Sequence, residues 1–558
     1  MTSSLPRPAH RMLALLLTTC MAAAVHAAPV ATATTPTAPK LVVVLVVDGL
    51  PNEQVQRYRA QFGQGGLRRL LDDGAWYGDA HQAHGITVTA IGHAAILTGA
   101  YPYQHGIIGN NWIDQATGAH VYCTDDSSSM YIGEETKPDD GTSPRRLRVS
   151  TLGDELRYAT GNQSKVVAVS GKDRGAILLA GKTGTAYMYM EKTGNFASST
   201  YYMQQHPAWA TGFNAKKPAD RFYGKSWSPL LDAAAYAGDA DEDIVPLRAG
   251  TQARFPFAYG SASGKPDAEY YKRLKTSPAL DELTLEFAQA AVEGENLGRN
   301  PAGVTDILGV SMSAHDYVNH TYGPESKMSH DHLQRLDRLL ANFFSYLDKR
   351  VGMGNVMVVL TADHGFANVP EYSQTRNIDA QRLNGDKLAA DLEKHLAATL
   401  SVPNLVRPTS IPNYYLDYEA AAKANIGRAA LEDAAARFLL LQPGVAEVFT
   451  RTQMENGVVG TRTAKLMRRG WNRQMSGDLM VVAKPFWIFS SEKSGTTHGS
   501  PYAYDTNVPL IIMGKRWIKP GAYGQYAEVV DIAPTLGHVL RVRPPAAAEG
   551  RVLTEVLR

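Results

Sequence analysis

The chain has 558 residues, 44% hydrophobic and 20% charged, with a formal net charge of +2. That is a globular composition, long enough for one large core with insertions or for two domains. The charge balance demands neither a nucleic acid nor an anionic membrane as partner. Two cysteines, Cys20 and Cys123, are too few for a disulfide framework.

Arg7, His10 and Arg11 precede an apolar run, Met12–Leu17, that continues through Ala22–Val25 to the small-x-small sequence Val25-His26-Ala27. This pattern predicts a signal peptide over residues 1–27, too short to serve as a transmembrane anchor. Lipid attachment at Cys20 fits less well, because Thr19 stands where a smaller residue is usual. Cleavage near Ala27 leaves one thiol, so an exported chain would depend on a large core or on bound metal. Residues 28–39, rich in Pro, Thr and Ala, read as a disordered leader.

Leu41–Val47 is a continuous apolar, β-branched run ending in Asp48-Gly49, the pattern of a strand buried on both faces of a parallel sheet. Similar runs follow at Val166–Val169, Ile307–Met312, Val356–Leu360 and Pro509–Met513. Helical patterns lie between them, at Ser277–Val292 and at His332–Leu347, where Leu333, Leu336, Leu340, Phe343, Phe344 and Leu347 recur at helical spacing. The alternation predicts an α/β fold: a central, mostly parallel sheet flanked by helices, with inserted subdomains. Residues 40–367 and 491–558 are expected to form the main domain. Residues 368–490, with a helix over Arg428–Leu441 and a Pro443-Gly444 turn, are expected to be an insertion. Residues 190–265, rich in Tyr, Trp, Gly and Ser, read as irregular cover over a site.

The strands end in polar clusters: Asp48, then Lys172 and Arg174, then Asp316 and His320, then Asp363 and His364. Ligands of open parallel sheets bind beyond the carboxyl ends of strands, so residues far apart in sequence can converge there. Asp316 and His320, four apart, would face one way on a helical turn. His498 lies in a flexible Thr-Thr-His-Gly-Ser loop. Three aspartates and three histidines suffice for two metal ions, and mixed N and O ligands without thiolates suit zinc with open positions. His315, His330 and His332 read as outer or surface histidines. Lys172 and Arg174 offer an ammonium and a guanidinium fork, which a phosphoryl dianion calls for. Asn110, in a Gly-Asn-Asn turn, offers an amide or simply serves the turn. In the dense stretch 81–112, a β-branched run (Ile86–Thr89) gives way to a helix-capable one (Ala90–Leu97). Thr89 at that junction either caps the helix or places its hydroxyl where a helix N-terminus favours an anion.

This set of residues, in this order, resembles the alkaline phosphatase superfamily, and within it the threonine-nucleophile, PafA-type bacterial alkaline phosphatases, relatives of the nucleotide pyrophosphatase/phosphodiesterases. The resemblance covers nearly everything after residue 40. It includes Gly141-Thr-Ser-Pro-Arg145, Lys172-Asp-Arg-Gly-Ala-Ile177, Thr200-Tyr-Tyr-Met203, Thr361-Ala-Asp-His-Gly365 and Asp531-Ile-Ala-Pro-Thr535. It implies two zinc ions, one held by Asp48, Asp363, His364 and the Thr89 oxygen, the other by Asp316, His320 and His498. It also implies a phosphothreonine intermediate at Thr89, with phosphoryl oxygens met by Lys172, Arg174, Asn110 and the backbone N–H of Ala90. Val88 before the nucleophile, where the diesterases often carry Lys, and the Lys172/Arg174 pair, which they lack, favour phosphate monoesters as small-molecule substrates in the periplasm or outside the cell. Three rivals remain: a phosphodiesterase or nucleotide pyrophosphatase on the same site; a non-catalytic binding protein gripping its ligand with Tyr187, Tyr189, Tyr201, Tyr202, Trp209 and Trp227; and a phosphomutase, which the signal peptide disfavours.

Overall fold

The computed structural model describes residues 37–558 with the exception of 241, 242, 249, 253, 458 and 459. The expected signal peptide, and the leader up to residue 36, lie outside the described residues. Twelve strands matter here: β1 (Leu41–Val47), β2 (Ala75–Tyr77), β3 (Val166–Ser170), β4 (Thr185–Tyr189), β5 (Phe196–Ala197), β6 (Asp306–Met312), β7 (Val356–Thr361), β8 (Asn413–Tyr414), β9 (Val445–Thr450), β10 (Leu479–Ala483), β11 (Leu510–Met513) and β12 (Gly521–Tyr523). Nine of them form one sheet in the order β12-β2-β11-β7-β1-β6-β3-β4-β5. The five middle strands β7-β1-β6-β3-β4 are parallel. β11 runs antiparallel to β7, and β5 antiparallel to β4.

Every residue of β1, β6 and β7 is buried, which is why their sequences do not alternate. Each fully buried Val or Leu contributes about 1.5–3 kcal/mol of transfer free energy, so the centre of this sheet is firmly held. The helices that frame the site are α1 (Thr89–Thr98), α2 (Asp173–Ala180), α3 (Pro278–Glu295), α4 (Ala314–Tyr322) and α5 (Lys327–Arg350). The apolar stripe of α5 (Leu333, Leu336, Leu340, Phe343, Phe344, Leu347) is buried in the main core as its spacing predicts.

Between residues 383 and 487 a separate apolar cluster includes Leu392, Leu431, Leu439, Val481 and Trp487, under the antiparallel sheet β8-β10-β9. A further cluster joins Ile86 and Ile91 to Phe449, Met467 and Met480, so this region packs against the start of α1. The stretch 190–265 differs from the expected irregular cover. It holds short helices and strands, and many of its aromatic rings pack inward. Trp209 lies 5.2 Å from Phe287 of α3, ring centre to ring centre, with Tyr187 of β4 packed against the same ring, and Trp227 is buried and donates its Nε1–H to Asp331. Rings spent on the core cannot grip a ligand, which removes the main support for the binding-protein alternative.

Candidate active site

The polar strand ends meet above the middle of the sheet. β1 has β6 on one side and β7 on the other, the reversal of strand order that opens a crevice at the carboxyl edge of a doubly wound sheet. Asp48 is one residue beyond β1. Lys172 lies just beyond β3, Asp363 just beyond β7, and Asp316 in the first turn of α4, which follows β6. All four are buried.

Thr89 is the first residue of α1. Val88 is the N-cap, and no side chain caps this helix. The Thr89 hydroxyl is therefore not used as a cap, and two cations reach it: Lys172 Nζ at 3.4 Å and Arg174 Nη2 at 3.5 Å. Lys172 is extended, whereas Arg174 already lies in α2. The two converge because a strand turns into a helix between them, not because a strand alternates. Asp173 faces elsewhere, accepting from Tyr122 Oη at 2.6 Å and from the Gly141 N–H at 2.8 Å. Tyr122 in turn accepts from Arg174 Nη1 at 3.2 Å. The Ala90 N–H, expected to face a phosphoryl oxygen, donates instead to Asn110 Oδ1 at 2.9 Å. The Asn110 Nδ2 amide is what remains to be offered at that point.

The helix start is pressed onto the strand end. A Cβ at Gly92 would stand 2.1 Å from the Asp363 carbonyl oxygen, so only glycine permits this approach of α1. One turn after Thr89, His93 Nδ1 lies 2.9 Å from the Thr89 carbonyl oxygen and 3.1 Å from Asp363 Oδ2, and its Nε2 is 2.8 Å from Ser311 Oγ. His93 thus ties the helix bearing Thr89 to Asp363 and to β6. The sequence reading passed over it, although its i+4 spacing from Thr89 was visible.

His320, His364 and His498 share one arrangement. Their Nδ1 atoms face the carbonyl oxygens of Thr496, Gly365 and Thr87 at 2.9, 2.9 and 2.7 Å. A carbonyl can only accept, so each Nδ1 carries the proton and each Nε2 presents a lone pair. His364 Nε2 faces Asp48 Oδ1 at 3.5 Å, Asp363 Oδ2 at 3.6 Å and Asp316 Oδ1 at 3.8 Å. His498 and His320 face Asp316 Oδ1 at 3.6 and 3.4 Å. Two groups meet the spacing a metal ion needs: Asp48, Asp363 and His364, and Asp316, His364 and His498. His364 belongs to both, whereas His320 stands beside the second group as a partner of Asp316.

Electrostatics sharpen this. Burial, then the Asp363 carboxylate, push the Asp48 carboxyl well above the usual range. Burial acts the same way on Asp316, but Lys172 and the three imidazoles overcome it and hold that carboxyl low. Burial would lower the Lys172 ammonium, yet Asp316 at 2.6 Å and Asp48 at 2.8 Å raise it. Burial lowers His364 and His498, keeping both imidazoles neutral. Three carboxylates thus crowd one ammonium. Among the described residues, Asp48 Oδ1, Asp316 Oδ1 and His364 Nε2 are buried without a hydrogen-bond partner, while Asp48 Oδ2 and Asp363 Oδ2 meet only Lys172 at 2.8 Å and His93 at 3.1 Å. Orphaned acceptors of this kind are costly unless a cation completes them, and neutral imidazole with carboxylate is a donor set for divalent metal. The residues fit a metal centre.

The other three histidines are buried rather than superficial. His315 bridges His332 and Gln54 at 3.0 and 2.8 Å, and His332 faces Asp281 at 3.2 Å. His330 stacks on Tyr58 and pairs with Asp239. Asp505 clamps the His498 loop, its Oδ2 accepting from the backbone of Gly499 and Ser500 at 3.1 and 2.8 Å; burial pushes its carboxyl up to about 7.

A nine-stranded α/β sheet with Asp/His groups at its carboxyl edge is the architecture of a phosphoryl-transfer hydrolase, and residues 42–503 match the type I phosphodiesterase / nucleotide pyrophosphatase family. The chain belongs to that family. Within it the chain is similar to alkaline phosphatase PhoV of Synechococcus elongatus, 35% identical with 93% of each chain covered. It is as similar to alkaline phosphatase PafA of Elizabethkingia meningoseptica, 35% identical with 93% of this chain and 94% of that one covered. A Myroides odoratus protein named calcium-transporting ATPase is 36% identical over 93% of this chain and 95% of its own. The crystal structure of wild-type PafA superposes with a TM-score of 0.86 at 33% identity, covering 94% of this chain and all of that one. No helix among the described residues is long and apolar enough to cross a membrane.

Proposed function

We propose that this chain is an exported, zinc-dependent alkaline phosphatase that hydrolyses small phosphate monoesters through a phosphothreonine intermediate at Thr89. The observation that carries it is the uncapped Thr89 hydroxyl, met by Lys172 and Arg174 and set beside the orphaned Asp/His groups. A solved variant of PafA is substituted at a threonine, an asparagine, a lysine and an arginine. These are the residue types of Thr89, Asn110, Lys172 and Arg174, in the same order and at the same intervals.

In this reading Asp48, Asp363 and His364 hold one ion next to Thr89, and Asp316, His320 and His498 hold the other. Bound zinc supplies Lewis acidity, lowering hydroxyl pKa values and offsetting the charge of a departing oxygen. The chain's own groups do the rest. The Thr89 oxygen attacks phosphorus in line while the ester P–O bond breaks, the alcohol leaving with the proton, and water then attacks the phosphothreonine to release phosphate and restore the Thr89 hydroxyl. Lys172, Arg174 and Asn110 Nδ2 bind the non-bridging oxygens, and such positioned charge supplies most of the catalysis in phosphoryl transfer. Residues 40–367 and 491–558 form the catalytic domain, 368–490 the insertion, and residues 1–27 direct export.

Lys172 and Arg174 bear on specificity. A monoester presents three free oxygens as a dianion, whereas a diester replaces one with an ester group, so two cations beside Thr89 reward the monoester. The family description itself names phosphodiesterases, and the diesterase reading is kept as the second one. Metal content with 4-nitrophenyl phosphate and bis(4-nitrophenyl) phosphate kinetics, on one purified sample, decides between them. The expected result is two zinc per chain and a strong monoester preference, lost on chelation. Thr89→Ala should lose at least about 10³-fold in kcat/KM with metal retained. Diester turnover exceeding monoester turnover would overturn the assignment.

A further inference from the structure

A cavity of about 230 Å³ adjoins the reaction centre. Val88, the residue before Thr89, and His498 both line it, so it lies beside the site. The opposite wall comes from the region that follows β7: Ile411, Pro412, Met467, Val481, Trp487 and Phe489. We propose that this cavity is the subsite for the organic half of the substrate, and that it takes the aromatic group of an aryl phosphate monoester. The proposal rests on the phosphatase reading and names its substrate class.

In-line displacement sends the leaving group away from the attacking Thr89 oxygen. His498 belongs to the second Asp/His group, whose members come from α4 and from the loop at His498, and the cavity lies against that loop. The wall is apolar and fixed. Met467, Val481 and Trp487 are buried. The six-membered edge of the Trp487 indole rests against Gly444, where a Cβ would stand 2.3 Å from it, so the ring cannot swing away and presents a rigid flat surface.

Flat aromatic contact is what an indole rewards. The volume suits an aromatic ring, since an apolar cavity of about 150 Å³ suffices for benzene. The cavity on the other side of the site, about 330 Å³, is lined by Lys137, Asp139, Asp140, Lys172, Arg174 and Glu191 among others. An aromatic ring there would strip water from charges, which directs the apolar half of the substrate to the His498 side.

The test uses competitive inhibition by phenylphosphonate and methylphosphonate, which share the anionic head and lack a leaving group. On the metal-loaded full chain with an aryl phosphate as reporter, phenylphosphonate is expected to bind at least about tenfold more tightly than methylphosphonate, in line with the transfer free energy of a buried ring. Trp487→Ala, and Val481→Phe, which fills the cavity, should bring that ratio close to one while leaving the methylphosphonate constant unchanged. Should Trp487→Ala lower the melting temperature, Phe489→Ala at the half-buried rim serves the same comparison. A wild-type ratio near one, or a ratio unmoved in folded variants, overturns the subsite. If the enzyme hydrolyses no monoester and neither phosphonate inhibits, it is the phosphatase reading that fails.

Discussion

The two halves of the site are built from different material. Asp48, Asp363 and His364 follow two adjacent parallel strands in the centre of the sheet and are fully buried. Their supports are backbone or buried: the Gly49 and His364 N–H groups donate to Asp363 Oδ1 at 3.0 Å each, and His93 holds its other oxygen. Asp316 and His320 sit on a short helix and His498 on a loop. There the His320 side chain is 36% exposed, and Gly499 has φ +123°, a backbone shape that side chains resist. A nucleophile gains from a fixed geometry, because small misplacements cost rate. A leaving group needs a way out. If Thr89 attacks and the alcohol leaves on the His498 side, as proposed, the difference in material follows the order of the reaction.

This contrast can be broken most directly at His364, which serves both groups. His364→Ala should cost at least about 10³-fold in aryl phosphate kcat/KM and empty the metal position beside Thr89. His320→Ala, at the exposed partner of Asp316, should cost less and keep one ion. Metal per chain, measured beside kinetics, checks this; equal losses would mean that the halves are not distinct. Next in size, Lys172→Ala and Arg174→Ala should each lower monoester turnover about 10²-fold and diester turnover far less. Equal loss on both substrates would remove their role in specificity.

A smaller effect sharpens the contrast at its support. His93→Ala should weaken metal affinity at the strand-borne half by about 10- to 100-fold, with kcat at saturating metal little changed. Smallest is a pH effect at the helix-borne half. Glu325, just after α4, accepts from the Val369 N–H at 2.9 Å, and burial pushes its carboxyl up to about 8. The unfolded chain ionises this group near its ordinary value and the folded chain only near 8. Its contribution is therefore complete below the unfolded pKa and is lost as pH rises toward 8. In Glu325→Gln the melting temperature should fall less steeply between pH 5 and 8; an unchanged slope assigns it elsewhere.

The middle of the fold was legible because strands buried on both faces write themselves as unbroken Val/Ile/Leu runs, and the polar residue ending each run marks the carboxyl edge. That is how Asp48, Asp316 and Asp363 could be named. The direction of β11 could not be read, since an apolar run carries no sign of the partner's polarity. Ala90 escaped because its N–H depends on where Asn110 turns, a contact set by tertiary packing. His93 escaped for a similar reason: a histidine on a buried helix face looks like any core residue until the strand beneath it is known. The aromatic stretch 190–265 misled because large rings signal burial as readily as binding, and composition does not say which side of the molecule they cover.

The shared orientation of the three imidazoles also sets a proton inventory. With their Nδ1 protons committed to backbone carbonyls and burial keeping them neutral, the His364 and His498 rings have no proton to surrender when a cation arrives. Protons released on loading come from the crowded carboxyls, above all Asp48. Release of that proton makes metal capture stronger as the surroundings become less acidic, until Asp48 is ionised and the affinity levels off.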